Sequence, residues 1–254
     1  MLDATRTLAE PVPAVDRDTG LPGETRGLVY EAGGRRLIDG IDLRLERGSI
    51  TVVMGPNGSG KSLLLRLLHG LIEPTAGQVR WAGQAPTADV RAHQAMVFQR
   101  PVLLRRSAAA NLRFALRLRG AAGRERTAER LRVVGLEALA HQPARLFSGG
   151  EQQRLALGRA LALEPRVLFL DEPTASLDPA STVAIEDIVR AAHGRGTKIV
   201  FVTHDLGQAR RLADEVVFLN RGRVAEQTEA AAFFEQPDSA SARDFLAGRL
   251  PRRR

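Results

Sequence analysis

Residues 50–62 read ITVVMGPNGSGKS, and this stretch decides the fold of the chain. The apolar run from Ile50 to Met54 predicts a buried β-strand. The apolar segment after it, SLLLRLLHGL, predicts a buried helix that ends at Gly70. Between the two, residues 55–62 fit the pattern G-x-x-x-x-G-K-S/T, which is specific when it joins a strand to a helix. The stretch therefore predicts a phosphate-binding loop, or P-loop, in an α/β protein.

The loop has the residues that a polyphosphate requires. Its glycines let successive N–H groups point inward, and the following helix adds the positive end of its dipole. Lys61 is predicted to reach the β- and γ-phosphates, and Ser62 to bind Mg²⁺. The alternative is a glycine-rich turn without a ligand, which needs neither lysine nor serine. The residues predicted to contact the nucleotide here are Gly55, Pro56, Asn57, Gly58, Ser59, Gly60, Lys61 and Ser62.

A pair of acids follows a second apolar run, Val167 to Leu170. Ligands of open α/β sheets gather at the carboxyl ends of the strands, so both acids are expected to face the phosphates. Asp171 is predicted to hold Mg²⁺ through water, and Glu172 to orient or deprotonate the attacking water. The alternative is an exposed acid pair before Pro173.

The rest of the chain predicts the architecture around these motifs. Continuous apolar runs that alternate with helical patterns predict parallel strands covered on both faces. Strands are predicted at 28–30, 37–45, 94–99, 198–202 and 216–219, with a hairpin-like piece at 77–83. Helices are predicted at 151–163, 179–193 and 205–214. Residues 107–146 carry helical periods without a strand signal, which predicts a helical insert.

The composition narrows the class of protein. The formal charge is +8, but arginine is scattered along the chain, so we expect an arginine-rich surface and no nucleic-acid partner. The chain has no cysteine, which excludes disulfides, thiol nucleophiles and cysteine-ligated zinc. The N-terminus lacks the apolar run of a secretory signal, and no segment approaches the ~20 apolar residues that cross a bilayer. A role at a membrane would therefore come through a partner.

Residues 147–154, FSGGEQQR, resemble the signature peptide of ABC ATPases, and the family's other motifs occur in the family's order over roughly residues 27–225. Phe147 stands where the signature commonly begins with leucine, and we expect no effect on the chemistry because both are apolar. The resemblance implies an α/β fold: a P-loop NTPase core of the ABC ATPase type with a β-subdomain and a helical subdomain. We assign residues 1–25 to a flexible leader, 26–235 to this domain, with the helical subdomain at about 105–150, and 236–254 to a tail.

Four single residues resemble family positions outside the signature. Tyr30 resembles the aromatic residue that stacks on adenine, although simple packing is the alternative for a lone tyrosine. Gln99 in MVFQRP resembles the glutamine that approaches Mg²⁺ and the water, in a loop that contacts the membrane partner. Asp178 in ASLDP resembles the D-loop aspartate. His204 in VTHD resembles the switch histidine that contacts the γ-phosphate, so the resemblance implies Glu172, His204 and Gln99 as catalytic residues.

The signature implies a second phosphate site. The hydroxyl of Ser148 and the N–H groups of Gly149 and Gly150 are expected to bind an anion at a helix N-terminus. One nucleotide does not need two such sites in one chain. In the family, two subunits pack head to tail, and the signature of one subunit closes over the γ-phosphate that the other holds.

These features predict the ATP-binding subunit of an importer, with ATP and Mg²⁺ as cofactors. The resemblance implies a homodimer at the cytoplasmic face of the membrane, beneath separate permease subunits and served indirectly by a solute-binding protein. The stretch QRPVLLRRSAAANLRFAL and the end DFLAGRL resemble ATPases of tungstate importers, with phosphate and molybdate importers as near relatives. The alternatives are another small solute, or a soluble ABC ATPase that acts on ribosomes or DNA. A GTPase is disfavoured, because the guanine-binding pattern N/T-K-x-D is absent.

Overall fold

The computed structural model describes residues 20–121 and 123–249, which form two β-sheets surrounded by helices. The strands in chain order are β1 (Gly23–Ala32), β2 (Arg35–Leu45), β3 (Ile50–Met54), β4 (Ala76–Trp81), β5 (Gln94–Val97), β6 (Val167–Asp171), β7 (Lys198–Val202), β8 (Glu215–Asn220) and β9 (Arg223–Glu229). The helices are α1 (Lys61–His69), α2 (Ala88–Ala92), α3 (Ala108–Arg117), α4 (Arg124–Val133), α5 (Gly149–Leu161), α6 (Pro179–Gly194), α7 (Leu206–Leu212), α8 (Ala230–Glu235) and α9 (Ala240–Leu246).

The larger sheet has the order β5-β6-β7-β3-β8-β9, in which the first five strands are parallel and β9 is antiparallel. Successive side chains point to opposite faces, so in β6 Leu168 and Leu170 enter one hydrophobic cluster, and Val167 and Phe169 the other. The first cluster is covered by helices from α3 to α9, and the second by α1 and the smaller sheet. The prediction of parallel strands buried on both faces is confirmed.

The smaller sheet has the order β2-β1-β4 and is antiparallel. Trp81 at the end of β4 joins it to the core, because the indole N–H donates to the carbonyl of Leu68 in α1 (2.8 Å) and the ring contacts Phe169 edge-on. The predicted hairpin-like piece at 77–83 is confirmed only at its end, where Trp81 and Gln84 exchange backbone hydrogen bonds across a tight turn (2.7 and 2.9 Å). The strand partner of this segment is β1, about fifty residues earlier in the chain.

Both ends of the described chain are more ordered than the sequence predicts. The predicted leader ends too late, because β1 begins at Gly23 and Leu21 is buried. In the predicted tail, α9 packs Ala242 and Phe245 against the core. The remaining leader, residues 1–19, and the arginines at 252–254 lie outside the described residues. The predicted helical insert at 107–146 contains α3, α4 and two short 3₁₀ turns.

A buried lysine lies at the amino end of β7, at the edge of the sheet opposite the P-loop. The Lys198 ammonium donates to Ser49 Oγ (2.6 Å) and Thr51 Oγ1 (2.7 Å), and the Thr51 hydroxyl donates to Glu215 Oε2 (2.7 Å). Burial lowers the pKa of Lys198 to about 8, although nearby acidic groups oppose this shift. The positive charge is therefore less stable in the folded chain than in the unfolded chain.

We expect Lys198→Met to change how stability depends on pH. Below about pH 8 the amine is protonated in both states, whereas between about 8 and 10.5 only the unfolded chain keeps the proton. The free energy of unfolding of the wild type, relative to the variant, should therefore rise by roughly 3 kcal/mol across this interval. Urea unfolding of both proteins at several pH values measures the difference. A difference that is constant with pH would contradict the prediction.

Candidate functional site

The P-loop joins β3 to α1 and passes close to neighbouring backbone at two glycines. A Cβ at Gly55 would lie 2.0 Å from the carbonyl oxygen of Leu219 in β8. Gly60 has a φ of 104°, and a Cβ there would lie 2.8 Å from the side chain of Ile38 in β2. Only glycine fits at both positions, so the loop can approach β8 and β2 closely.

The first turn of α1 has no capping side chain. Gly60 is its N-cap residue, no side chain accepts from the turn, and the turn contains no acidic residue. Three helices near the site differ, because Ser148, Asp178 and Asp205 cap α5, α6 and α7 with side-chain oxygens. The first N–H groups of α1 and the positive end of its dipole are therefore available to an anion.

Lys61 is held inside the loop. Its ammonium donates to the carbonyl oxygens of Gly55 (2.8 Å) and Pro56 (3.1 Å). Burial lowers the pKa of Lys61, and the charges of Glu172 and Asp171 oppose this shift. A partly desolvated cation interacts more strongly with a phosphate than a fully hydrated one does.

Strand order brings the other site residues to the same edge of the sheet. Because β7 lies between β6 and β3, the chain segments after these three strands are neighbours. Asp171 ends β6 and Glu172 follows it, His204 follows β7, and the P-loop follows β3. The sequence prediction that the acids and the P-loop share one edge agrees with this arrangement.

Ser62 and Asp171 form a pair of oxygen ligands. The Ser62 hydroxyl donates to Asp171 Oδ1 (2.7 Å). Burial raises the pKa of Asp171, and the hydrogen bond from Ser62 and the charges of Arg66 and Lys61 oppose this shift. Hydroxyl and carboxylate oxygens suit Mg²⁺, which usually binds through one or two protein groups together with phosphates and waters. The pair therefore fits the predicted metal.

Glu172 and His204 form a second pair. The Glu172 Oε2 and His204 Nδ1 atoms are 3.1 Å apart, and the backbone N–H of Glu172 donates to the carbonyl of Val202 (3.1 Å). Glu172 has a φ of 46°, in the left-handed region that residues with a side chain adopt only when their surroundings enforce it. The backbone therefore directs this carboxylate toward the segment that follows β7.

The signature residues and Asp178 form a separate cluster where α5 and α6 begin. α5 begins at Gly149, two residues earlier than predicted, and Ser148 and Glu151 cap it reciprocally. A Cβ at Gly150 would lie 2.3 Å from Ser181 Oγ, so the glycine permits close packing against α6. Asp178 accepts from the Ser181 N–H (2.9 Å) and hydroxyl (2.6 Å).

Among the described residues, no hydrogen bond links the side chain of Gln99 or Tyr30 to either cluster. β5 ends at Val97, two residues earlier than predicted, and Gln99 is exposed in the loop that follows. The carbonyl of Phe98 accepts from Gln153 of α5 (3.1 Å), so this loop is tied to the signature helix. Tyr30 is half-buried on β1 and packs against the second hydrophobic cluster.

Several polar residues of the site were missed by the sequence analysis. Glu151, which caps α5 together with Ser148, could have been found, because a serine followed three residues later by glutamate is a capping-box pattern. The half-buried Thr174 and the buried Glu186 and Gln208 carry no such signal, because their partners lie on other elements.

A P-loop that faces acids and a histidine at the carboxyl edge of a parallel sheet defines a nucleotide-hydrolysing protein of the P-loop class. The chain belongs to the ABC transporter family, because the family model described as ABC transporter matches residues 38–175. Members of this family hydrolyse ATP to drive transport, and the chain is an ATPase of this kind.

Two curated relatives span three quarters of the chain and nearly all of it, respectively. The tungstate uptake system ATP-binding protein TupC of Peptoclostridium acidaminophilum is 43% identical over 76% of this chain and 92% of its own length. The phosphate import ATP-binding protein PstB 2 of Natronomonas pharaonis is 35% identical over 98% of this chain and 99% of its own length.

Solved structures share the fold. CbiO1 from Clostridium perfringens, part of the ABC transporter complex cbiONQ, has a TM-score of 0.75 at 28% identity and covers 85% of this chain and 91% of its own. A dimeric ATP-binding cassette in a post-hydrolysis state, bound to ADP and Pi, has a TM-score of 0.74 at 29% identity. The match covers 82% of this chain and 98% of that structure's chain. The predicted fold class is therefore confirmed.

Proposed function

We propose that the chain is the ATP-binding subunit of an importer and hydrolyses ATP in a head-to-tail homodimer at the cytoplasmic face of the membrane. The observation that carries this proposal is the uncapped N-terminus of α1, with Lys61 inside the P-loop and the acid pair at the same edge of the sheet. The ATP-binding domain would run from β1 to about residue 235, with a helical subdomain at about 105–150.

The residues at this edge divide the reaction among them. The P-loop N–H groups and Lys61 would bind the phosphates, and Ser62, Asp171 and Gln99 would hold Mg²⁺, which neutralises phosphate charge when bound. Glu172 would accept a proton from the attacking water or orient it, and its contact with His204 (3.1 Å) supports a role for the imidazole in the same step. His204 would contact the γ-phosphate, and Tyr30 would stack on adenine.

The second cluster supports the dimer. Among the described residues, Ser148, Gly149, Gly150 and Asp178 make no hydrogen bond to the P-loop, although helix starts such as theirs favour an anion. In a head-to-tail dimer, this cluster of one subunit would close over the nucleotide of the other. The dimeric relative with ADP and Pi bound has the same fold.

Two substitutions separate the two halves of the shared site. Glu172→Gln should keep ATP binding but slow hydrolysis by about 10²-fold or more, because the amide cannot accept the proton, and should trap an ATP-bound dimer. Ser148→Arg should leave nucleotide binding by the monomer intact and block hydrolysis. Nucleotide binding by fluorescence, turnover by phosphate release and dimer content by gel filtration measure these effects.

Lys61→Ala is the matched control, because it should abolish ATP binding itself. Wild-type turnover in Glu172→Gln would show that Glu172 is not the catalytic carboxylate. Normal turnover in Ser148→Arg would contradict the shared site.

The permease subunits would dock in an apolar groove beside Gln99. The groove, of about 440 Å³, lies between the end of α1, β5, α3 and α5, and its lining includes the exposed side chains of Phe98, Val102 and Phe114. Three lining residues also have a buried polar atom without a hydrogen-bond partner: His69 Nδ1, Gln94 Oε1 and Arg159 Nε. A partner segment with apolar side chains would cover the exposed apolar part of this groove. No helix among the described residues is long and apolar enough to span a membrane.

Phe114→Asp should therefore weaken the permease contact and leave the basal ATPase of the isolated chain unchanged. We expect the amount of this protein that stays bound to washed membranes containing the permease to fall about tenfold. The reason is that a carboxylate would be buried in the interface without a partner. Val183→Asp is the control, because Val183 is similarly exposed (50% against 42%) and lies on α6, outside the groove. Equal loss in both variants would contradict docking in the groove.

The cargo that we propose is an oxyanion, with tungstate as the first candidate. The relatives that support this are the tungstate and phosphate ATP-binding proteins described above. Other relatives act in methionine and Fe³⁺ import, so the support is the resemblance and no residue of the site.

The cargo can be identified from the tungsten, molybdenum and phosphorus content of cells that grow with a limiting supply of these elements. Cells with Glu172→Gln should lose tungsten and keep molybdenum and phosphorus, because only the dedicated permease loses its ATPase. Loss of another of these elements would show that this element is the cargo, and the proposed ATPase mechanism would stand. No change in any of them would contradict oxyanion import.

A further inference from the structure

A buried polar network lies behind the site and has no part in the roles proposed above. The Thr174 hydroxyl donates to Gln208 Oε1 (3.0 Å), and Gln208 Nε2 donates to Glu186 Oε1 (3.1 Å). Arg211 donates to both oxygens of Glu186, at 3.0 Å from Nε and 2.7 Å from Nη2. Gln208 and Glu186 are each 1% exposed, so their polar groups rely on one another and not on water.

The network connects three segments that leave the site. Thr174 lies two residues after Glu172, in the loop that leads from β6 to α6. Gln208 lies on α7, one turn after His204. Glu186 lies in the middle of α6, the helix whose first residue follows the predicted D-loop aspartate.

The charge of Glu186 fixes the orientation of the Gln208 amide. Burial raises the pKa of Glu186, but hydrogen bonds from Arg211 and Gln208 outweigh this effect and the pKa lies below its usual value. An ionised carboxylate only accepts hydrogen bonds, so Gln208 must present its NH₂ group to Glu186. Its carbonyl oxygen then faces Thr174 and provides an acceptor at a fixed position.

Two backbone hydrogen bonds close turns within the loop that contains Thr174. The N–H of Ala175 donates to the carbonyl of Glu172 (3.2 Å), and the N–H of Leu177 donates to the carbonyl of Thr174 (3.2 Å). These turns fix the loop internally but do not tie it to α7. The hydrogen bond from Thr174 to Gln208 provides that tie.

We propose that Thr174 and Gln208 are positioning residues, which hold the loop after Glu172 against α7 and thereby set the distance between the Glu172 carboxylate and the His204 imidazole. Neither residue is proposed to touch the nucleotide, so both act through the pair in front of them. This inference rests on the proposed ATPase function. It predicts a loss of turnover without a loss of ATP binding.

Two valine substitutions test the proposal against a matched control. Thr174→Val keeps the shape of the side chain and removes its hydrogen bond to Gln208. Thr197→Val does the same at a half-buried threonine whose hydroxyl donates to the carbonyl of Pro165 (3.1 Å), at the opposite edge of the sheet. We expect kcat to fall about tenfold in Thr174→Val only, with KM for ATP within about twofold of wild type, because misplaced groups slow the chemistry more than binding.

Two further measurements separate positioning from a general loss of stability. Thr174→Ser keeps the hydroxyl and should restore turnover. The ¹⁵N signals of the His204 ring, assigned with His204→Asn, should move in Thr174→Val and stay in place in Thr197→Val. Gln208→Met should repeat the effect of Thr174→Val on kcat, because it removes the acceptor.

The outcomes distinguish the two proposals. If Thr174→Val has the turnover and the ring signals of Thr197→Val, the positioning role is wrong and the ATPase function stands. If the wild type hydrolyses ATP no faster than Lys61→Ala, the proposed function is wrong. The ring signals then still report whether Thr174 sets the Glu172 to His204 contact, because they require no turnover.

Discussion

The first turn of α1 presents N–H groups that no side chain among the described residues caps, and much of the molecule is arranged around this constraint. Gly60 enters the helix in a left-handed conformation, and Gly55 passes the carbonyl of Leu219 at a distance that no side chain allows. Lys61 is held in the same loop by two backbone carbonyls. Unpaired donors and a buried cation favour an anion at this position, so the loop is built for a polyphosphate.

The strand order brings the acids and the histidine close to the predicted anion position. β7 lies between β6 and β3, so the acids and the histidine arrive on neighbouring strands although more than a hundred residues separate Ser62 from Asp171 along the chain. The short rigid strands are buried on both faces, which leaves little freedom at their ends. The strained backbone of Glu172 and the network behind Thr174 then adjust the final direction of one carboxylate.

Helix starts perform two different functions in this chain. The start of α1 is open, whereas α5 is closed by a reciprocal cap between Ser148 and Glu151, and α6 by Asp178. A capped helix end is stable alone and has less need of an anion. In the proposed dimer, the open end would hold the nucleotide and the capped ends would close over it. This difference would allow nucleotide binding to precede closure of the proposed dimer.

The sequence by itself determined the P-loop, the strands and helices that flank it, and the order of the motifs, because these depend on contiguous apolar runs and on short patterns of glycine, lysine and serine. It did not determine β9, whose residues RVAEQTE show no apolar alternation, or the partner of β4, which is β1. It also missed the docking of α9 and the contacts of Glu186 with Gln208 and Arg211. Only the tertiary structure decided these features, since each depends on burial against residues that are distant in the chain, and local propensity carries no information about such partners.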